Sequence, residues 1–250
     1  MLSACPLDGL PEIGPGDDLA ALILEALGPH ERLQSGHVLV IAHKAVSKAE
    51  GRIRALSDVT PGPRALELAE QLGKDPRLVA VILSESRSVL RAARGVLICV
   101  THHGFVCANA GVDASNVPGE DRVVLLPEDP DRSARRLRRQ LRQLTGAAPA
   151  IVITDSFGRA WRNGQADVAI GCAGLAPLDD WRGRTDANDR QLKATVLAIA
   201  DELAAAADLA RAKDRMQPIV LIEGAQRFVT DGDGPGARAL IRPEPDDLFR

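Results

Sequence analysis

The segment from Ala150 to Gly174, AIVITDSFGRAWRNGQADVAIGCAG, constrains the fold more than any other part of the chain. It opens with a β-branched apolar run, Ala150 to Thr154, which is typical of a buried strand. The pattern predicts that this strand delivers Asp155 and Ser156 at its carboxyl end, where open α/β sheets place their ligands. We expect a tight turn at Phe157-Gly158 directly afterwards.

The residues that follow this strand include several with oxygen-bearing or cationic side chains. A carboxylate beside a hydroxyl supplies the oxygen ligands that Mg²⁺ and Mn²⁺ prefer. Arg159 and Arg162 follow within a few residues and suit phosphate or carboxylate groups, so we take them as candidate catalytic residues. The alternative is a strand that ends in a capping aspartate, with both arginines in solvent. A further apolar run, Asp167 to Ala173, predicts the next strand.

Helical and strand patterns alternate along the rest of the chain. Capping signals and helical spacing predict five helices. The first covers residues 19–27, is capped by Asp17 or Asp18 and is ended by Gly28 and Pro29. The others cover residues 63–72, begin at Asp75-Pro76, follow a capping Asp131, and cover about residues 192–210. Short apolar runs predict strands over residues 38–42, 96–101, 105–110, 218–222 and 237–242. The turn His102-His103-Gly104 indicates a β-hairpin. We interpret the six arginines after Asp131 as a solvated or subunit-facing helix surface.

Two other segments carry candidate binding residues. His43 to Arg52, HKAVSKAEGR, holds two lysines, an arginine and a hydroxyl just after a predicted strand, which suits phosphates; the alternative is that the lysines are simply solvated. Asn109 to Val117, NAGVDASNV, has no core-forming spacing. It is either an Asx-type turn or a loop that supplies a second metal carboxylate, Asp113, with Asn116 holding a ligand.

Composition and missing motifs exclude several classes of function. A net charge of −3, 2% aromatic residues and no tyrosine argue against nucleic-acid binding. Cysteines at positions 5, 99, 107 and 172 form no CxxC pair, so a zinc ribbon is not supported. No apolar run approaches the ~18 residues of a membrane span, and we expect a cytoplasmic protein with reduced thiols. GxGxxG after a strand and GxxxxGK[ST] are both absent, which argues against Rossmann and P-loop folds.

Four motifs in order, VSKAEGR, NAGVDASNV, TDSFGRAWRNGQADVAIG and DWRGRTD, resemble the coenzyme F420:L-glutamate ligase (γ-glutamyl ligase) family. The resemblance extends over nearly the whole chain, from LPEI to ARALIRP. It implies an α+β, two-lobed, mixed-sheet ligase fold that is neither P-loop nor Rossmann and that assembles as an intertwined dimer. We therefore expect residues 1–250 to form a single glutamate-ligase module with two sub-lobes that part near residues 100–110.

The resemblance also implies an activity and a set of site residues. GTP and Mg²⁺ or Mn²⁺, two ions per site with a K⁺ ion besides, would activate the carboxylate of a deazaflavin coenzyme F420 precursor as an acyl phosphate. L-glutamate would attack it, and later glutamates would join through γ-linkages. The implied metal ligands are Asp113, Asp155 and Ser156. The implied GTP contacts are Leu10, Pro11, Glu12, Ile13, His43, Lys44, Lys48 and Asn116.

The chain departs from the family pattern in two places. Archaeal members carry a glycine-rich stretch with an acidic residue after the long helix, whereas residues 210–217 here, ARAKDRMQ, contain no glycine. The following strand ends in Glu223-Gly224 where Arg-Gly is expected. Asp214 or Glu223 would have to complete the second metal site. Two alternatives stay open: a related nucleotide-dependent carboxylate–amine ligase for another substrate, and a paralogue that binds coenzyme or nucleotide without catalysis.

Overall fold

The computed structural model describes residues 1–28, 32–115, 117, 119–212 and 214–248, and it confirms a mixed α+β architecture. Its strands are β1 Ser3–Pro6, β2 Val38–Ala42, β3 Ile53–Ala55, β4 Ser86–Ala93, β5 Val96–Thr101, β6 Val106–Ala108, β7 Arg122–Val124, β8 Ala150–Arg159, β9 Arg162–Ala173, β10 Asp179–Asp180, β11 Val196–Leu197 and β12 Ile219–Glu223. Its α-helices are α1 Leu19–Leu27, α2 His43–Ala49, α3 Pro63–Leu72, α4 Pro76–Ser84, α5 Pro130–Thr145 and α6 Ile199–Ala210. No helix among the described residues is long and apolar enough to cross a bilayer.

A five-stranded mixed sheet in the order β1-β12-β2-β8-β9 forms the centre of the molecule. Strands β2 and β8 are parallel, and their register pairs Ala42 with Thr154 at the carboxyl end. Strand β12 runs antiparallel to β2, so Ile219 pairs with Ile41 whereas Ile222 pairs with Val38. The carboxyl end of β12, and Glu223 with it, therefore lies at the edge of the sheet opposite to Thr154.

Each face of this sheet buries its own hydrophobic core, because successive side chains of a strand point to opposite faces. Leu39, Ile41, Ile151 and Ile153 face one core, which helices α1 and α5 help to cover. The alternate strand positions face a second core, whose helical members come from α6. The continuous apolar runs predicted for β2 and β8 are confirmed, since a strand covered on both faces has no polar side.

A third core gathers apolar residues from Leu56 to Leu125, including α3, α4, β5 and β7. The chain enters this part after α2 and leaves it before α5. Residues 100–110, where we expected two sub-lobes to part, run from the end of β5 through β6 into a 3-10 turn at Asn109–Gly111. The third core is therefore built from one continuous stretch of chain, which is inserted between β2 and β8.

Several predicted elements are confirmed with their end signals. Asp18 caps α1 and Gly28 ends it, while the predicted Pro29 lies outside the described residues. Helix α3 ends at a left-handed Gly73, and Asp75 caps α4. The predicted β5–β6 hairpin is present, with its two histidines in the turn, where their ring nitrogens contact backbone carbonyl oxygens.

The strand after α5 is longer than predicted. We expected it to end at Thr154 with a turn at Phe157-Gly158, but β8 continues to Arg159 and forms a long hairpin with β9. The hairpin turns at Ala160 and Trp161, where Trp161 adopts a φ of 59°. Cross-strand pairing with β9, including Phe157 with Ala166, holds this extension together. A single-sequence pattern does not reveal such pairing, because most residues near the tip are polar and exposed.

Three other predictions were wrong in their boundaries or type. The predicted helix 192–210 begins only at Ile199, because the preceding residues form the small β10–β11 pair. The predicted final strand 237–242 is a 3-10 turn at Ala237–Leu240. Asp131 lies inside the first turn of α5, whose cap is Asp129. A capping pattern cannot tell these two aspartates apart, since both precede the same apolar periodicity.

Asp131 joins three separate elements instead. Its carboxylate accepts hydrogen bonds from the backbone N–H groups of Cys172 (2.8 Å) and Ala237 (2.7 Å), and from that of Arg238 at 3.3 Å. We expect Asp131→Asn to lower the free energy of unfolding by about 2–3 kcal/mol, because the amide lacks the negative charge that strengthens the bonds from Cys172 and Ala237 and turns a donor toward the Arg238 N–H. For a chain of this length that corresponds to a melting temperature lower by roughly 5–10 °C.

The matched control is Asp129→Asn, because asparagine caps helices about as well as aspartate. Its melting temperature should stay within about 2 °C of the wild type. Scanning calorimetry of both variants measures the difference. Equal, small shifts for the two substitutions would show that Asp131 does not tie β9 and the 237–240 turn to α5.

Candidate active site

A cavity of about 730 Å³ opens where β2 and β8 end their parallel pairing. Its volume lies in the range of small-molecule binding sites. Helix α2 begins directly after β2, so its first side chains line this cavity together with those of Asp155 and Ser156. The lining is rich in charge; its ionisable members are Glu12, His43, Lys44, Lys48, Asp113, Asp155, Asp167, Asp208, Arg211 and Arg215.

His43 lies buried at the base of the cavity, with 2% of its surface exposed. One ring nitrogen, Nδ1, lies 3.3 Å from the Ser47 hydroxyl one helical turn later. The other, Nε2, lies 3.4 Å from Asp155 Oδ1, yet it has no hydrogen-bond partner among the described residues. A buried polar atom without a partner is rare in proteins. This side of the site therefore has hydrogen-bonding capacity left for a ligand.

Lys44 connects α2 to the loop that follows β6. Its ammonium lies 2.6 Å from Asp113 Oδ2 and donates to the Ser115 hydroxyl at 2.5 Å. The Ser115 N–H donates to Asp113 Oδ1 at 2.7 Å, which is the Asx-type turn that we weighed for this loop. Burial alone would raise the pKa of the Asp113 carboxyl, but the hydrogen bonds from Lys44 and Ser115 outweigh burial and lower it. Asp113 is thus held ionised beside a resident ammonium.

Lys48 presents a second cation one turn further along α2. Its ammonium lies 2.5 Å from the Glu12 carboxylate, which belongs to the segment before α1. The lysine stem is buried, whereas the Glu12 side chain is half exposed. The pair therefore stands at the mouth of the cavity, where an anionic ligand can compete with Glu12 for the ammonium.

Asp167 is the most deeply buried carboxylate of the site, with 1% of its surface exposed. It lies on β9 opposite Ser156, whose hydroxyl donates to its Oδ1 at 2.6 Å. Its Oδ2 accepts from the Thr154 hydroxyl at 2.8 Å and from the Arg211 guanidinium. These contacts fix the side chains of Thr154 and Ser156 on the wall of the cavity.

The cavity wall offers carboxylate oxygens for the metal ions that the sequence implies. Mg²⁺ and Mn²⁺ in nucleotide sites take one or two carboxylates and complete their shells with phosphates and water. Asp155, on the cavity wall beside the orphaned His43 nitrogen, fits one such ion. Asp113 can join it only by exchanging its Lys44 partner. The described residues contain no cluster of three His, Cys, Asp or Glu side chains able to hold a metal without such help.

A second ion fits the residues around Ser156 poorly. Ser156 is a neutral ligand, so a divalent ion there needs a neighbouring carboxylate. Asp167 supplies none, because both of its oxygens are taken up by Ser156, Thr154 and Arg211. Asp214 and Glu223, our two candidates for completing this site, do not line the cavity. Asp214 is exposed, and Glu223 lies at the far edge of the sheet beside His37.

The structure brings most of the predicted site residues together. Those lining the cavity are Pro11, Glu12, Ile13, His43, Lys44, Lys48, Asp113, Asp155 and Ser156. Leu10 instead packs in the first core, with 5% of its surface exposed, and Asn116 lies outside the described residues. Arg159 and Arg162 lie at the exposed tip of the β8–β9 hairpin, where Arg159 donates to the Asn163 carbonyl oxygen. The structure does not bring these two arginines to the cavity of their own chain.

Sequence reasoning missed several residues of the site. Thr154, Asp167, Asp208, Arg211 and Gln217 line the cavity without having been predicted to do so. For Asp167 a signal existed: a charged residue at the start of an apolar strand, Asp167 to Ala173, is costly to bury without a partner. No such signal existed for Arg211. Its side chain reaches the cavity only because of the way the connection between α6 and β12 folds.

The whole chain is similar in sequence to proteins named coenzyme F420:L-glutamate ligase. Residues 9–224 match the sequence profile of the family described as F420-0:Gamma-glutamyl ligase. The relative from Methanothermobacter thermautotrophicus is 45% identical over 251 residues, which cover 100% of this chain and 99% of the relative. The relative from Methanopyrus kandleri is 47% identical over 241 residues (96% and 94%), and that from Archaeoglobus fulgidus is 41% identical over 247 residues (98% and 95%). All three bear the same name.

Proposed function

Because the chain belongs to the F420-0:Gamma-glutamyl ligase family, we propose that it is a GTP-dependent ligase that joins L-glutamate to a deazaflavin coenzyme F420 precursor. The observation that carries the proposal is the cavity beside β2 and β8, which gathers two lysines and the Asp155 carboxylate at one edge of the sheet. Cations at such a place suit the phosphates of a nucleotide. A divalent ion on Asp155 is part of the proposal.

The proposed reaction has two steps. A carboxylate oxygen of the coenzyme precursor attacks the γ-phosphorus of GTP; the bond to the β,γ-bridging oxygen breaks, and GDP leaves. The resulting acyl phosphate is then attacked by the amine of L-glutamate, which has lost a proton. An amide bond forms, inorganic phosphate leaves, and the nitrogen releases its second proton. Later glutamates are added in the same way through their γ-carboxylates.

The residues of this chain act mainly by neutralising charge and by positioning, which are the chief demands of phosphoryl transfer. Lys48 takes a phosphate oxygen once Glu12 is displaced, and Lys44 holds the Asp113 loop against α2 through the Ser115 carbonyl and hydroxyl oxygens. Asp155, with Asp113 after exchange of Lys44, would hold the metal ion. When bound, a divalent ion draws negative charge from the phosphates and orients them. His43 and Ser47 fix the base of the site below Asp155.

The test is a direct ligation assay. Purified protein is mixed with the glutamate-free coenzyme, GTP, Mn²⁺ and L-glutamate, and products are followed by mass spectrometry. The expected result is the mass of one added glutamyl residue, with equimolar GDP. Parallel reactions contain L-aspartate or ATP in place of the natural partner, and both should be slower. GDP release without a glutamylated product would favour a ligase for another carboxylate, whereas nucleotide binding without turnover would favour a non-catalytic paralogue.

We also propose a homodimer. The β8–β9 hairpin projects from the sheet and carries Trp161 at its tip with 79% of its surface exposed, flanked by Arg159 and Arg162. Exposed aromatic and arginine side chains are typical of interface anchors. The alanines of α6 contribute less to such an interface, since Ala204 and Ala207 are buried within the chain itself.

The dimer is expected to be stable at micromolar concentration. Light scattering coupled to size exclusion should give twice the chain mass of 26.6 kDa. Trp161→Ser should shift the equilibrium toward the monomer, because it removes the largest apolar group of the hairpin tip. Leu66→Ser, at an exposed position on α3, is the matched control. A wild-type particle of 26.6 kDa would refute the homodimer.

A further inference from the structure

Arg211 places a fixed positive charge inside the proposed active site. It is the first residue after α6, and its backbone N–H still donates to the Ala207 carbonyl oxygen. Only 10% of its side chain is exposed, and the guanidinium reaches Asp167 on β9 and the Thr154 hydroxyl, the latter at 3.1 Å. Another guanidinium nitrogen contacts the Pro218 carbonyl oxygen at 3.4 Å. The charge is thus anchored by three separate parts of the chain.

This guanidinium lies close to the oxygens that a second metal ion would need. Ser156 donates its hydroxyl to Asp167, the same carboxylate that pairs with Arg211. Asp208 is another carboxylate on the cavity wall, and its Oδ1 lies 3.8 Å from Arg211 Nε. Both anionic groups on this side of the cavity therefore face one arginine. A divalent ion on Ser156 would meet a like charge and would gain no carboxylate that is not already paired.

We propose that Arg211 is the resident cation at the Ser156 end of the cavity, so that this chain binds one divalent metal ion with its nucleotide where two were expected. The inference rests on the proposed function, because it assumes a nucleotide and a first metal ion on the Asp155 side. Arg211 is a positioning residue in this proposal. It fixes Asp167 and, through it, the hydroxyls of Thr154 and Ser156, and it supplies positive charge that is present before any ligand binds.

The resident-cation proposal can be distinguished from a purely structural salt bridge between Arg211 and Asp167. A buried carboxylate needs a counter-charge for stability alone, so loss of Arg211 should destabilise the fold under either interpretation. Only the resident-cation proposal predicts that the number of bound metal ions changes as well. When the guanidinium is removed, Asp167 Oδ2 loses its cation and keeps only the Thr154 hydroxyl as a donor, while Oδ1 of the same carboxylate still faces Ser156. A carboxylate beside a hydroxyl is then available to a divalent ion.

The experiment counts Mn²⁺ ions bound per chain in the presence of a non-hydrolysable GTP analogue, by electron paramagnetic resonance of free Mn²⁺ and by native mass spectrometry. The wild type should bind one ion. Arg211→Gln should bind two, with a melting temperature lower by about 10 °C. Arg211→Lys, which keeps the charge, should bind one.

The double variant Asp167→Asn with Arg211→Gln guards against simple misfolding. It removes both buried charges together, so it should melt close to the wild type and should bind one ion, because the carboxylate that the second ion requires is gone. Two ions in the wild type would overturn the inference while leaving the proposed function standing. One ion in Arg211→Gln would show that the arginine does not decide the number. Absence of both Mn²⁺ and nucleotide binding would overturn the proposed function and this inference together.

Discussion

Replacing Asp155 with asparagine should lower the rate of ligation by at least about a hundredfold, the usual effect of removing one preorganised electrostatic group from an active site. Asp155 lies just beyond the last parallel pair of β2 and β8, and its side chain faces the cavity. The substitution removes the negative charge that would hold the metal ion but keeps one carbonyl oxygen and the shape of the side chain. Its contacts with His43 and with its own neighbour, the Ser156 N–H, do not support the core.

The fold should therefore survive this change, with a melting temperature within about 2 °C of the wild type. Initial rates by mass spectrometry and melting by fluorimetry are to be measured on the same preparation. Asp214→Asn is the matched control, because Asp214 is exposed and does not line the cavity. It should retain full activity at every Mn²⁺ concentration. An Asp155→Asn variant that ligates within a few-fold of the wild type would remove Asp155 from the metal site.

Sequence reasoning could locate this site because its positions follow from local rules. An apolar, β-branched run predicts a buried strand, and polar residues just after it must lie at an end of the sheet. Two such runs, β2 and β8, are parallel neighbours, so their following residues meet. That is why His43, Lys44 and Asp155 line the same cavity.

Other features depend on contacts between residues that are distant in sequence. The capping pattern before α5 contains both Asp129 and Asp131, and only the folded position of β9 makes Asp131 an acceptor for Cys172. Likewise, Arg211 follows a surface helix and looks like an exposed end residue until β9 supplies Asp167 as its partner. Glu223 was considered as a metal ligand because it ends a strand, but the antiparallel direction of β12 carries it to the wrong edge.

The positions of the two arginines at the hairpin tip also depend on contacts that the sequence alone does not reveal. Arg159 and Arg162 are close in sequence to Asp155, which suggested a shared role. A strand rises about 3.3 Å per residue, so four residues of additional strand carry Arg159 roughly 13 Å from Asp155. Proximity in sequence implies proximity in space only where the chain turns, and here the turn comes at Trp161, after the first of these arginines.

Removing the Lys48 ammonium should weaken GTP binding by roughly 10- to 100-fold, the effect of losing one or two charge-assisted hydrogen bonds. Lys48 is buried along its stem, and its ammonium reaches the cavity mouth, where Glu12 now holds it. Lys48→Ala leaves Glu12 half exposed to water, so no charge is stranded in the interior and the fold should hold. Lys193→Ala, at an exposed position outside the cavity, should bind GTP like the wild type.

Glu12→Gln tests the other half of the pair. If phosphate must displace Glu12 from Lys48, neutralising Glu12 removes the competitor, and GTP should bind as tightly as to the wild type or several-fold tighter. Calorimetric titration of the variants with GTP, in Mn²⁺ and again in EDTA, gives the affinities. We expect GTP binding in EDTA to be much weaker for every variant, since the ion on Asp155 also offsets phosphate charge. Weaker GTP binding by Glu12→Gln in Mn²⁺ would mean that the Glu12 carboxylate contacts the nucleotide directly and that Lys48 is not its phosphate ligand.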